Sequence, residues 1–162
     1  MIIVAIDEIN FKKASVILNN LDPKKCMVKI GSVSFNSIGQ EIIFYAAERG
    51  FDIFLDLKLH DIPNTVRKSI EGITSLPISM LTIHISGGRD MMKATMDAVS
   101  GRKIKIFGVT ALTSLSDEDT NKIFKRTASD QVEAMLDLAE SVGIDGVVCS
   151  PHELELVGKR KS

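Results

Sequence analysis

Short, continuous apolar runs recur along the chain, and between them apolar residues return at helical spacing. Residues 2–6 form a β-branched run of the kind found in strands buried on both faces, and Asp7 ends it. Asn10 reads as the N-cap of a helix over 11–20, with Ala14, Ile17, Leu18 and Leu21 on its apolar side; Asp22-Pro23 then turns the chain. Residues 27–31 predict a second short strand, interrupted by the charge of Lys29. Phe35, Ile38, Ile42, Ile43, Ala46 and Ala47 hold one helical period and predict one helix, closed by Arg49-Gly50. A third strand is expected over about 53–57, and Pro63 opens a helix reaching about 75.

The same alternation continues to the end. Residues 80–84 predict a strand, followed by Ser86-Gly87-Gly88 and a helix over about 90–99. Residues 104–109 predict a fifth strand, and a longer polar connection over 110–127 holds a short helical turn near 117–124. Val132, Met135, Leu136, Ala139 and Val142 mark an amphipathic helix over 131–142, and residues 146–149 a sixth strand. Ser150-Pro151-His152-Glu153 is a capping box with Pro at the first helical position. Strands alternating with helices imply α/β structure with a parallel sheet and right-handed crossovers. An open doubly wound sheet and a (β/α)8 barrel both fit that order. Polar residues near the carboxyl ends of several strands (Asp7, Lys29, Asp56, Lys58 and His84) favour the barrel, which builds its site there. The chain holds about six βα units, read as one domain over 1–162, where an eight-unit barrel of ~200 to 250 residues needs two more.

Composition narrows the function classes. The 162 residues carry a formal net charge of -1 and no basic stripe, and the absence of Trp with a single Tyr leaves little surface for base stacking, so nucleic acid is not an expected partner. No apolar run approaches the ~20 residues of a membrane span, and the apolar start has no basic leader, so no membrane partner and a cytoplasmic location are the default expectations. Cys26 and Cys149, far apart and outside any metal-ligand spacing, are expected to be reduced, buried thiols.

The chemistry concentrates in the third strand and its continuation. Strand alternation turns Asp56 and Lys58 to one face, while Leu55, Leu57 and Leu59 take the other. Opposite charges on a buried face are costly unless paired. With Lys29 and Asp61 they make two cations and two anions on or just past strands, an arrangement that reads either as an ion-pair network at the barrel mouth or as an array around a substrate. An ammonium group in such an array is placed to donate a proton and to stabilise a nearby carbanion. His60 follows Lys58 on the same side and is expected to face outward or to be satisfied by backbone; His84 fits a site or a core position equally. His152 reads as a surface residue, Ser86-Gly87-Gly88 as a turn, and Met91, Met92, Met96 and Met135 as core filler.

The run Leu55-Asp56-Leu57-Lys58-Leu59-His60-Asp61-Ile62-Pro63-Asn64-Thr65 resembles the signature of the orotidine 5′-phosphate decarboxylase family. Ala5-Ile6-Asp7, Val28-Lys29-Ile30-Gly31, His84-Ile85-Ser86-Gly87-Gly88, Val109-Thr110-Ala111-Leu112-Thr113-Ser114 and Asp145-Gly146-Val147-Val148-Cys149-Ser150 agree with it in order. The resemblance implies a (β/α)8 barrel acting as a homodimer, without metal or organic cofactor. The implied reaction converts orotidine 5′-phosphate to uridine 5′-phosphate and CO2. It implies Lys58 as proton donor, Asp56 facing the leaving carboxylate, and Lys29 and Asp61 completing the array. Asp7 and Lys29 would bind ribose hydroxyls, Thr113 with Ser114 would lie at the pyrimidine, and Asp61, Ile62 and Thr65 would reach the partner's site. The whole stretch Asp56, Leu57, Lys58, Leu59, His60, Asp61, Ile62, Pro63, Asn64 and Thr65 is thereby expected to bind substrate. The family's phosphate grip, a Pro-Gly-Ile-Arg loop with a later Gln and Gly-Arg, has no counterpart in these residues, so weak nucleotide binding is expected. A magnesium-dependent sugar-phosphate enzyme sharing the Asp-x-Lys-x-x-Asp skeleton, and an inactive truncated paralogue serving as a binding subunit, are the competing readings.

Overall fold

The computed structural model describes residues 2–112 and 114–160. Six strands, β1 (Ile2–Ile6), β2 (Cys26–Gly31), β3 (Ile53–Leu59), β4 (Met80–His84), β5 (Lys105–Val109) and β6 (Gly146–Val148), form one sheet in sequence order. Every neighbouring pair is parallel. The helices are α1 (Phe11–Asn19), α2 (Ser32–Ile38), α3 (Glu41–Glu48), α4 (Pro63–Ile73), α5 (Gly88–Val99), α6 (Asp117–Phe124), α7 (Ala128–Val142) and α8 (Leu154–Lys159). Single 3-10 turns precede α5 and α8.

Alternation along each strand sorts its side chains into two layers. Val28 and Ile30 of β2, Ile53 and Leu55 of β3, Leu81 and Ile83 of β4 and Ile106 of β5 are fully buried in the main core. They meet Ala14, Leu18, Ile42, Ile43, Val66, Ile70, Met91 and Met92 from the helices. The residues between them, Met27, Phe54 and Met80, form a separate small cluster with Phe107 and Val148 on the other face, the floor of a curled sheet. Continuing up that inner face from Phe54, Met80 and Met27 leads to Asp56, Thr82 and Lys29.

Several expectations need correction. The period from Phe35 to Ala47 belongs to two helices, because Gly39 at φ +80° ends α2 and Gln40 is the N-cap of α3. Strand β3 runs through Leu59, past the expected end near 57. Its pairing with β4 also slips: Leu55 pairs with Leu81 but Leu59 pairs with Ile83, leaving three residues of β3 opposite one of β4. Lys58 sits in this bulge at φ +50°, one of two non-glycine residues with positive φ among those described. The turn expected near 117–124 is a full helix with a capping box between Ser116 and Asp119. Cys26 and Cys149 are free thiols, but half-buried rather than buried.

Candidate active site

The inner face of the sheet gathers charge at its carboxyl edge. Lys58 Nζ donates to Asp56 Oδ2 at 2.7 Å. Lys29 Nζ, on β2, lies 3.4 Å from the same oxygen and 3.9 Å from Asp7 Oδ1 at the end of β1. The result is a line of alternating charge, Asp7, Lys29, Asp56, Lys58, spanning three adjacent strands. Asp56 is 7% exposed and is the only charged residue buried to that degree among those described. Burial pushes its carboxyl up, but hydrogen bonds from Lys58 and Thr82 and the charges of Lys58 and Lys29 outweigh it and hold the pKa below the ordinary carboxylate value.

Local structure places each group. Parallel pairing sets Lys29 beside Phe54 and Gly31 beside Asp56, so Lys29 reaches the carboxylate diagonally across the β2–β3 ladder. The loop carrying Asp7 is tied down from α2: the single proton of the fully buried Ser34 hydroxyl is shared between the carbonyls of Ile6 at 2.6 Å and Glu8 at 2.8 Å, and its oxygen accepts from the Glu8 N–H at 3.0 Å. Thr82 of β4, also fully buried, donates to Asp56 Oδ1 at 2.9 Å and accepts from the Lys58 backbone N–H at 2.9 Å. Neither Ser34 nor Thr82 was singled out from sequence. For Thr82 a signal exists: a hydroxyl at the inner position between Met80 and His84 on an otherwise apolar strand.

The remaining expected residues spread outward. Asp61 is exposed and its carboxylate accepts the Ile62 N–H at 2.7 Å, so within one chain it stands apart from the array. Ile62, Pro63, Asn64 and Thr65 are exposed at the start of α4, where Asn64 accepts from Arg67 at 3.0 Å. Leu57 and Leu59 pack against the main core, which turns their side chains away from the array. His60 is exposed, with Nε2 3.4 Å from the Ser86 hydroxyl and its ring 5.2 Å from that of His84. His84 is half-buried; burial first, then the charges of His60 and Lys58, lower its pKa. A cavity of about 230 Å³ opens beside these two rings, lined also by Ser86, Thr110, Leu112 and Phe124. Ser114 is exposed on the β5–α6 connection, and Thr113 lies outside the described residues. Among the described residues no group of three or more His, Cys, Asp or Glu is arranged to hold a metal ion. No helix among them is long and apolar enough to cross a membrane.

The family model described as "Orotidine 5'-phosphate decarboxylase / HUMPS family" matches residues 1–161. The chain belongs to this family. An orotidine 5′-phosphate decarboxylase of Baumannia cicadellinicola is 45% identical over 158 residues, covering 95% of this chain and 64% of the relative. The enzyme of that name from Ehrlichia chaffeensis is 44% identical over 160 residues, 98% of this chain and 69% of its own length. The chain thus spans about two thirds of the relatives it matches. The crystal structure of orotidine 5′-phosphate decarboxylase from Lactobacillus acidophilus superposes with a TM-score of 0.88 at 36% identity, covering 98% of this chain and 75% of that one. The corresponding protein from Methanocaldococcus jannaschii, complexed with inhibitor BMP, shares the fold at a TM-score of 0.81 and 20% identity. The six parallel strands are therefore part of a (β/α)8 barrel. The charged edge described above is the carboxyl end of its strands, where barrels of this kind place their sites.

Proposed function

We propose that the array decarboxylates orotidine 5′-phosphate to uridine 5′-phosphate, the closing step of pyrimidine nucleotide synthesis, with Lys58 as the acid. The observation that carries this reading is the shared oxygen of Asp56, which accepts Lys58 at 2.7 Å and has Lys29 at 3.4 Å, in a family named for that reaction. Loss of CO2 breaks the bond between C6 and the carboxylate carbon and leaves its electron pair on C6, in the ring plane, where the π-system does not delocalise it. A positioned cation next to C6 stabilises that pair, and the Lys58 ammonium supplies both the charge and the proton. The proton moves from Nζ to C6, and the neutral amine regains one from water. Asp56 faces the departing carboxylate and fixes the ammonium, while Lys29 and Asp7 hold the ribose hydroxyls. Thr113 and Ser114 lie at the pyrimidine in this reading, and the reaction uses no metal or organic cofactor.

The six units over residues 1–162 belong to one barrel domain and make up the first six of its eight βα units. The exposed segment His60, Asp61, Ile62, Pro63, Asn64 and Thr65 faces a second copy of the chain, with Asp61, Ile62 and Thr65 completing the neighbour's site in a cytoplasmic homodimer. The exposure of Ile62, 66%, supports that placement. The test is uridine 5′-phosphate formation with excess chelator present: unchanged product formation is expected. A strict magnesium requirement would move the assignment to sugar-phosphate chemistry, and a chain inert at every substrate concentration would favour a binding role.

A further inference from the structure

We propose that Thr82 is the positioning residue of the charge array, its hydroxyl joining the Lys58 backbone to the Asp56 carboxylate so that one arrangement of both persists. The inference rests on the decarboxylation reading for its kinetic consequences, and on geometry alone for its structural ones. The bulge sets Asp56, Leu57 and Lys58 opposite the single residue Thr82, between the Leu55–Leu81 and Leu59–Ile83 pairs. Such a slip takes the Lys58 N–H out of the β ladder, and a buried N–H needs another acceptor. The Thr82 hydroxyl is that acceptor, at 2.9 Å. Its own proton goes to Asp56 Oδ1 at 2.9 Å, so donor and acceptor capacities are both used. With Oδ1 pinned, Oδ2 is left for Lys58 and Lys29. A φ of +50° at a residue with a β-carbon is sterically costly, and this bond opposes its relaxation. Valine has the same shape without the hydroxyl. In its place the Lys58 N–H and one carboxylate oxygen would both be orphaned.

The groups facing Asp56 are Lys58 on its own strand, Lys29 on β2 with Asp7 behind it, Thr82 on β4, and the His84 imidazole at the end of β4. Thr82→Val and Thr82→Ser in the full chain separate shape from hydrogen bonding. Two readouts apply: the Asp56 carboxyl titration followed by carbon-13 NMR, and kcat with KM for orotidine 5′-phosphate. In Thr82→Val the Asp56 midpoint is expected to rise and kcat to fall roughly 10- to 100-fold with KM within about twofold, the loss of a hydrogen bond to a charged group. Thr82→Ser should keep both near wild type. A Val variant with unchanged midpoint and kcat, or a Ser variant as impaired as Val, overturns the proposal. Should Thr82→Val fail to fold by circular dichroism, Thr82→Ala takes its place under the same criteria. If the wild-type chain does not decarboxylate, the functional reading fails, and the Asp56 titration by itself still decides whether Thr82 sets the carboxylate.

Discussion

Asp56 is the residue on which the site turns. It is buried, yet its pKa lies below the ordinary value of 3.8, because two ammonium groups and a hydroxyl together outweigh the cost of burial. The folded protein therefore binds this proton less readily than the unfolded chain does. The resulting stabilisation is complete above the unfolded value near 3.8 and is lost as pH falls through the lower folded value. Denaturant titrations in the acid range should show stability falling with pH in the wild type, and a shallower fall in Asp56→Asn. The pairing of Asp56 with Lys58 was legible from alternation and charge cost. The bulge that holds Lys58 at φ +50° was not. It depends on how β4 is matched to β3, a long-range register that leaves no local mark beyond a Thr among apolar neighbours. Spacing adds Asp61 to the same set; the chain turns after Leu59 and leaves it exposed, apart from the array of its own chain.

Among the elements, β5 shows how tightly the outer layer is packed. A β-carbon added at Gly108 would lie 2.6 Å from Ile85 Cγ1 and 2.8 Å from Ile85 Cδ1, and Ile85 is fully buried. Gly108→Ala should destabilise the fold by about 1–3 kcal/mol, measured by urea denaturation, since the neighbouring side chain has little room to yield. The same variant should leave the Asp56–Lys58 geometry intact, because Gly108 points toward the helices. Apolar periodicity located every strand to within a few residues. It failed at Gly39, where two helices in one phase imitate a single longer one, and the positive φ of a glycine is invisible to a period count.

At the scale of the molecule, six parallel strands in sequence order place β3 and β4 at the centre and β1 and β6 at the edges. Ile2 and Ile3 are 64% and 38% exposed, whereas Leu55 and Leu81 have no exposed surface. Native-state hydrogen exchange should accordingly find β3 and β4 amides protected to near the global unfolding free energy and those of β1 and β6 opening first. Uniform protection across the sheet would mean that the edges are covered in solution. The barrel class was legible because charges fall at successive strand ends, a pattern that an open sheet with one switch point does not require.

The central claim is that the Lys58 ammonium protonates C6 as CO2 leaves. Single-turnover conversion of orotidine 5′-phosphate, with the protein in excess over substrate, compares wild type with Lys58→Ala directly. Wild type should form uridine 5′-phosphate and CO2 in equal amounts, and the variant, folded by circular dichroism, should form neither. Product formation by Lys58→Ala at the wild-type rate would contradict the claim.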